Sequence, residues 1–197
     1  LLASVLSQSG DARGALALYQ EALLVRAARL SSDGPWRWSL EANLAREELR
    51  LGDAAAALAR GERVLAEIDA SEQVHPGLRA GAQRILAGAL LASGAPRAAV
   101  AALEEALPVE RELGGRGAPQ ALSALRELAV ALACAGETAR GDACARELVG
   151  DCRAALATLC RTAGPREVEE WVADRREELA WIVSLGAGGV PSEAAPE

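Results

Sequence analysis

Four glycines at one constant spacing limit what this chain can fold into. Each glycine follows the previous one by 42 residues, and each is preceded, eight and seven positions earlier, by a Leu-Ala pair; the four are Gly10, Gly52, Gly94 and Gly136. A fixed period of roughly 20 to 50 residues is typical of solenoids built from repeated units. The chain is therefore predicted to be a series of stacked repeats with small cores between them.

The residues around each glycine predict a pair of helices joined by a tight turn. Apolar residues recur at spacings of three and four on both sides, as in Leu122, Leu125 and Leu128 before Gly136. Such spacing places them on one buried helical face. Glycine can adopt the left-handed conformation that ends a helix, and an aspartate such as Asp11 can cap the next one.

The repeat register divides the chain into predicted regions. Four helical hairpins are expected over about 1–34, 35–76, 77–118 and 119–149, with loops at 31–35 and 72–77. After Gly150 the register fails, and a helix over 152–161, a break at Gly164-Pro165 and one last amphipathic helix over 168–183 are expected. A solenoid needs an atypical end that covers its last apolar face, so we interpret 150–186 as a cap. Residues 187–197 have the composition of a disordered tail.

Composition excludes several classes of function. The net charge of −7 and the pI near 5.0 disfavour nucleic-acid binding, which needs a basic surface. No charge-free segment approaches the roughly 20 residues that span a bilayer. One His, one Tyr, no Lys and no phosphate-binding loop leave no catalytic constellation. We therefore expect neither an enzyme nor a cofactor.

The cysteines and the paired glutamates are interpreted as structural. Four Cys without a Cys-x-x-Cys pair, and with the single His far away, do not match a zinc site. They are predicted to be small buried hydrophobes, with a disulfide as the alternative. Three glutamate pairs are predicted to lie on solvated helix faces: Glu104-Glu105, Glu169-Glu170 and Glu177-Glu178.

The columns around the four glycines resemble the tetratricopeptide repeat (TPR). That family has Leu followed by a small residue in its first helix and small residues in its second, here Ala15, Ala57, Ala99 and Gly141. The period of 42, against about 34 in the commonest form, is similar to the kinesin-light-chain type. Glu41, Gln83 and Leu125 depart from a column where Trp is common, and Gly61 leaves another column empty. The resemblance implies an all-α, right-handed solenoid of antiparallel helix pairs with a capping helix pair.

The resemblance also implies a ligand groove lined by the first helices. The groove columns contain Arg46, Leu49, Arg50, Arg84, Leu91, Arg126 and Val130. Arg binds carboxylates through paired hydrogen bonds, so the hypothesis is a groove for a peptide with acidic groups. The alternative is that these arginines pair with Glu47, Glu48 and Glu127 on neighbouring turns.

The function expected from these features is that of a noncatalytic scaffold that binds a protein or peptide. The alternatives are a regulatory arm of a signalling kinase or ATPase-type transcription regulator, and self-association through an uncapped end. All 21 basic residues are Arg, which indicates a GC-rich, bacterial coding bias. The chain begins inside a predicted helix without Met, so a piece of a longer cytoplasmic protein is expected, and a lost signal peptide stays open.

Overall fold

The structure, a computed structural model, describes residues 1–27, 34–71 and 75–185. Every regular element in these ranges is a helix, which confirms the predicted all-α class. Residues 31–33 and 72–74 of the predicted inter-repeat loops, and the predicted tail over 187–197, lie outside the described residues. The chain divides into two compact units, Leu1–Ala95 and Pro96–Glu197.

The first unit contains five helices that pack in chain order. They are α1 Leu2–Ser9, α2 Ala12–Ala27, α3 Pro35–Arg50, α4 Ala54–Asp69 and α5 Pro76–Ala92. Each helix packs against the next, and α3 also packs against α5. Because α3 and α5 are the first helices of successive hairpins, their contact makes one continuous surface from two repeats.

The second unit begins with two long helices that belong to successive hairpins and ends with a short helix pair. Its helices are α6 Pro96–Gly114, α7 Pro119–Cys134, α8 Thr138–Thr162, α9 Pro165–Asp174 and α10 Arg176–Leu185. Helix α7 packs between α6 and α8, α9 packs against α8, and α10 contacts both α9 and α7. The pair α9–α10 therefore packs against the two helices of the last repeat, and the interpretation of 150–186 as a cap stays a prediction.

The predicted glycine turns are confirmed, with one hydrogen-bond pattern at all four. Each glycine has a φ between 75° and 90°, in the left-handed region. The residue after it donates its backbone N–H to the carbonyl five positions earlier, at 2.8–2.9 Å, as in Asp53 to Glu48. This bond satisfies a carbonyl left over at the helix end. Asp53 then accepts from the N–H of Ala56 at 3.0 Å and caps α4.

The small columns of the repeat are the places where helices approach most closely. Ala45, Ala87 and Ala129 are fully buried. Gly141 on α8 lies so near α7 that a Cβ would be 3.0 Å from the carbonyl oxygen of Ala129. Gly61 likewise lies against the backbone of Leu86, where a Cβ would be 3.5 Å from the Leu86 Cα. The column that Gly61 leaves empty in the sequence is thus filled by α5, which approaches α4 closely at this point.

Two predictions about the C-terminal part are wrong. Helix α8 continues from Thr138 to Thr162 without a break at Gly150. Burial of Asp151 and Cys152 just after it outweighs the roughly 1 kcal/mol that a helical glycine costs. The single last helix expected over 168–183 is two helices, which are separated at Arg175.

Candidate functional site

Five of the predicted groove residues lie together on the surface formed by α3 and α5 in the first unit. Arg46, Leu49 and Arg50 belong to α3, and Arg84 and Leu91 belong to α5. The contact between the helices is tight at Gly88, where a Cβ would be 2.9 Å from Cδ2 of Leu49. Leu49 and Leu91 are half-buried, so apolar surface borders the arginines.

Arg46 is the residue of this surface with an unusual electrostatic setting. Its side chain is exposed to solvent, yet enough protein surrounds it that desolvation lowers the pKa of its guanidinium. The positive charges of Arg84 and Arg50 lower this pKa further, while Glu47 and Tyr19 raise it by less. Even so, an arginine stays protonated at neutral pH.

The only hydrogen bond that Arg46 makes to a described residue is with a neutral group. Its Nη1 donates to Oδ1 of Asn43 at 2.9 Å. No described carboxylate forms a salt bridge with it, although Glu47 follows it directly in the chain. Positive charge is thus concentrated around Arg46 and is not neutralised at that side chain.

Arg50 has a different setting, because it is held by the neighbouring repeat. Its Nη1 donates to the carbonyl oxygen and to Oγ of Ser7 on α1, both at 2.8 Å, and lies 3.4 Å from Oε2 of Glu47. Ser7 Oγ in turn donates to Oε1 of Glu47 at 2.7 Å, and Glu47 is fully buried. For Arg50, the structure matches the alternative interpretation, in which the arginine pairs within the protein.

Glu48 does not pair with the groove arginines. Together with Glu41, it binds Arg60 of α4: Nε of Arg60 donates to both carboxylate oxygens of Glu48, at 2.9 and 3.1 Å. Arg60 Nη1 donates to Glu41, as does Arg63 Nη2 at 2.9 Å. These hydrogen bonds raise the pKa of Arg60, those with Glu48 most. This buried network was missed in the sequence, where its signal is a charged Glu41 in a column usually filled by Trp.

The remaining two predicted groove residues, Arg126 and Val130, lie on α7 of the second unit. Val130 is half-buried. Nε of Arg126 lies 3.9 Å from Oε1 of Glu178 on α10, and Ser123 Oγ donates to the same oxygen at 2.5 Å. Glu178 is only 4% exposed, so its predicted place on a solvated face is wrong. A carboxylate of the cap itself occupies the surroundings of Arg126.

The cysteines are free, and they differ in burial. Cys152 is buried as predicted, Cys134 and Cys144 are half-buried, and Cys160 is exposed, contrary to the prediction. Desolvation, followed by the charges of Glu178 and Asp151, raises the pKa of Cys152 to about 11. A thiol of this kind stays protonated and unreactive near neutral pH.

The described residues contain no cluster of His, Cys, Asp and Glu arranged to hold a metal ion. None of the described helices combines the length and the apolar character that crossing a bilayer requires.

Comparison with solved structures identifies the architecture. A Podosopora anserina protein with nearly identical TPR-like repeats, assigned as a kinesin light chain, matches with a TM-score of 0.64 and 22% sequence identity over 91% of this chain and 92% of that one. BtubC (BKLC) from P. vanneervenii matches with a TM-score of 0.62 and 20% identity over 100% of this chain and 82% of that one.

The chain has a TPR-like repeat fold. The resemblance predicted from the glycine and alanine columns is confirmed at this level, as an α-helical repeat solenoid. No protein-family model and no curated protein matches the sequence. Because identities near 20% support the fold alone, the ligand of these TPR-like repeats has to be argued from the side chains.

Proposed function

We propose that this TPR-like repeat protein is a noncatalytic scaffold that binds a peptide segment with acidic groups on the α3–α5 surface of its first unit. TPR-like repeats suggest a protein-interaction scaffold, and the chemistry of this surface specifies the kind of segment. The proposal includes Arg46 and Arg84 as the groups that contact the acidic side chains, and Leu49 and Leu91 as their apolar neighbours.

The observation that carries the proposal is the setting of Arg46. Its guanidinium is exposed, lacks a salt bridge to any described carboxylate and is close enough to Arg84 and Arg50 for their charges to lower its pKa. A ligand carboxylate would relieve this repulsion. Hydrogen bonds to ionised groups are roughly twice as strong as neutral ones, and a concave, partly desolvated surface strengthens them further.

The apolar neighbours set a second requirement on the ligand. Leu49 and Leu91 are half-buried, so each still presents some apolar surface beside the arginines. An aliphatic or aromatic side chain next to the acidic group would remove that surface from water, at about 25 cal/mol per Å². The favoured segment therefore alternates acidic and apolar residues, and purely acidic peptides should bind more weakly.

Arg50 has a supporting role in this proposal. Its hydrogen bonds to Ser7 tie α3 to α1, so it adds positive charge to the surface while holding the helix in place. Replacing it would change the fold and the charge together. Arg46 and Arg84 are the better positions for a test.

The test compares charge reversal on the α3–α5 surface with charge reversal elsewhere. Fluorescein-labelled ten-residue peptides that alternate Glu and Leu are titrated with the protein and followed by anisotropy, beside peptides with Gln in place of Glu. Arg46→Glu combined with Arg84→Glu should weaken binding of the Glu peptides at least tenfold. The control is Arg13→Glu combined with Arg97→Glu, which makes the same charge change at two exposed residues of the second helices.

The outcomes separate the proposal from general electrostatics. Weaker binding in the Arg46/Arg84 variant, with the control unchanged and little binding of the Gln peptides, supports the proposal. Equal losses in both variants, or equal affinity for Glu and Gln peptides, would show that this surface does not recognise acidic groups. Circular dichroism of both variants verifies that the helices are intact.

A further inference from the structure

A second candidate site lies in the other unit and is independent of the proposed peptide surface. A cleft of about 650 Å³ opens between the segment before α7, the later part of α8 and the junction of α9 with α10. We call it the α8 cleft and define it by Arg116, Pro119, Asp151, Ala154, Trp171 and Arg175. Its volume falls in the range of roughly 300 to 1,000 Å³ that is usual for small-molecule sites.

The α8 cleft contains a buried guanidinium with an incomplete set of partners. Arg175 is only 6% exposed, and its Nε is buried without a hydrogen-bond acceptor. Its Nη1 donates to the carbonyl oxygen of Trp171 at 3.1 Å, and its Cζ lies 4.3 Å from the centre of the Trp171 ring. A buried charge normally has a charged partner, because desolvation of an unpaired ion is costly.

The described carboxylates near Arg175 in the sequence do not provide that partner. None of the described carboxylates forms a salt bridge with Arg175. Glu178 accepts its hydrogen bond from Ser123 and lies beside Arg126, on another helix. Desolvation lowers the pKa of Arg175, and the more distant charges of Asp174, Glu178 and Cys152 oppose this change only in part.

The acidic residue of the α8 cleft is already neutralised by other arginines. Oδ1 of Asp151 accepts from Nε of Arg116 at 2.8 Å, and its Oδ2 lies 3.5 Å from Nη2 of Arg111. Glu147 Oε1 lies 2.6 Å from Nη2 of Arg116 and 3.1 Å from Nη2 of Arg111, so Asp151 and Glu147 together balance these two arginines. The positive charge left over in the cleft is therefore that of Arg175. Around it, Pro119, Ala154, Ala155 and Leu159 supply apolar lining.

We propose that the α8 cleft binds a small organic monocarboxylate, whose carboxylate pairs with Arg175 and whose apolar body lies along α8. Arg175 lines the cleft and has no salt bridge to a described carboxylate, so the ligand carboxylate would supply the charged partner that its guanidinium lacks. The site is separate from the α3–α5 surface. Failure of either proposal therefore leaves the other intact.

The experiment uses hexanoate as the probe and the full chain as the protein. Hexanoate is titrated while the side-chain N–H signals of Trp171 and Arg175 are followed by nuclear magnetic resonance. Saturable shifts of both signals are expected, with a Kd on the order of 1 mM for so small a ligand. Three control compounds should each bind at least tenfold more weakly than hexanoate. 1-Hexanol lacks the charge, hexylammonium carries the opposite charge, and inorganic phosphate lacks the apolar body.

Two variants and one control locate the binding. Arg175→Gln should weaken hexanoate binding at least tenfold. Arg166→Gln makes the same charge change at a side chain that is 88% exposed and paired with Glu170, so it should leave the affinity unchanged. Ala154→Leu narrows the cleft at an exposed position of α8 without altering any charge, and it should weaken binding at least fivefold.

The results that overturn the proposal are specific. The first is the absence of saturable shifts up to about 20 mM hexanoate, a concentration well above the expected Kd. The second is equal affinity for hexanoate and for hexanol, hexylammonium or phosphate. The third is an equal loss of hexanoate affinity in Arg175→Gln and Arg166→Gln. If circular dichroism shows that Arg175→Gln does not fold, the Ala154→Leu variant decides. Unchanged hexanoate affinity in that variant would refute the site.

Discussion

Arg84 and Arg126 occupy the same column of the repeat, 42 residues apart, and each has a charged neighbour of a different sign. Arg84 on α5 lies near enough to Arg46 for its charge to lower the pKa of that arginine. Arg126 on α7 lies 3.9 Å from the buried carboxylate of Glu178. One column therefore contributes to a concentration of positive charge in one unit and to an internal ion pair in the other.

The difference shows what a cap does to a repeat surface. Helix α10 contacts α7 and brings Glu178 to it, so the cap provides the acidic group that the proposed ligand would provide at α3–α5. On the α3–α5 surface, Arg46 makes no salt bridge to a described carboxylate. A first helix adjacent to the cap has its arginine neutralised from within the chain.

The largest expected effect comes from breaking the internal pair. Arg126→Gln leaves Glu178 buried with the Ser123 hydroxyl as its remaining described hydrogen-bond donor, and loss of one partner of a buried pair is strongly destabilising. We expect the free energy of unfolding of the second unit to fall by about 3 kcal/mol, discounted for the partial exposure of Arg126. Urea unfolding measures this. Arg166→Gln, at an exposed pair, should change stability by less than about 0.5 kcal/mol.

The second prediction uses Cys152, whose pKa is raised partly by Glu178. The ordinary value is 9.0 and the folded value is about 11, so the folded state favours the protonated thiol. The contribution of the protonated Cys152 thiol to the free energy of unfolding is therefore complete below pH 9. It is lost as the pH rises through 11, which lowers the free energy of unfolding by about 2 to 3 kcal/mol in total. Cys152→Ala should remove this loss. An identical decrease between pH 9 and 11 in the two proteins would contradict the assignment to Cys152.

A smaller effect is expected where α3 and α5 approach each other. Gly81→Ala on α5 meets no atom within 4 Å, so it should stabilise the first unit by about 1 kcal/mol through helix propensity. Gly88→Ala gains the same propensity but displaces the end of the Leu49 side chain, 2.9 Å away. Its gain should be about half as large. Equal gains in thermal unfolding would mean that the α3–α5 contact is looser than described.

The smallest effect is expected from Arg46, in contrast to Arg126. Arg46→Gln removes a charge that is repelled by Arg84 and Arg50, and it breaks no salt bridge to a described residue. Stability should rise by about 0.5 kcal/mol at low salt, the scale of a like-charge pair on a helix. The gain should shrink at high salt, because screening weakens the repulsion in the parent protein. A loss of stability in urea unfolding would indicate a structural role for Arg46.

Much of the fold was predictable because it depends on local spacing. The positive φ of the four turn glycines and the burial of the alanines seven residues earlier both follow from repeat columns, which a single sequence displays directly. The kinesin-light-chain-like period similarly predicted the TPR-like hairpins. Features that depend on one repeat at a time were therefore visible in the sequence.

The candidate sites were less predictable because they depend on contacts between distant segments. The Ser123–Glu178 hydrogen bond joins residues 55 positions apart, and no periodicity indicates it. The ion pair between Glu41 and Arg60 had only a weak signal in the sequence, which was the charge of Glu41 in a column where Trp is common. Gly150 was predicted to lie at a helix end, and this prediction was wrong. A glycine in the sequence does not reveal that the next two residues, Asp151 and Cys152, are buried and hold the helix together.

The continuity of α8 has a mechanical consequence. Its 25 residues form a rod about 37 Å long, whose first half packs on α7 and whose second half lines the α8 cleft. Because a continuous helix bends little without a proline or a bulge, a displacement at the cleft end turns the same rod at the repeat end. Helix α8 thus connects the α8 cleft directly to the fourth hairpin, and we expect hydrogen exchange to slow at both ends of the helix together when the cleft is filled.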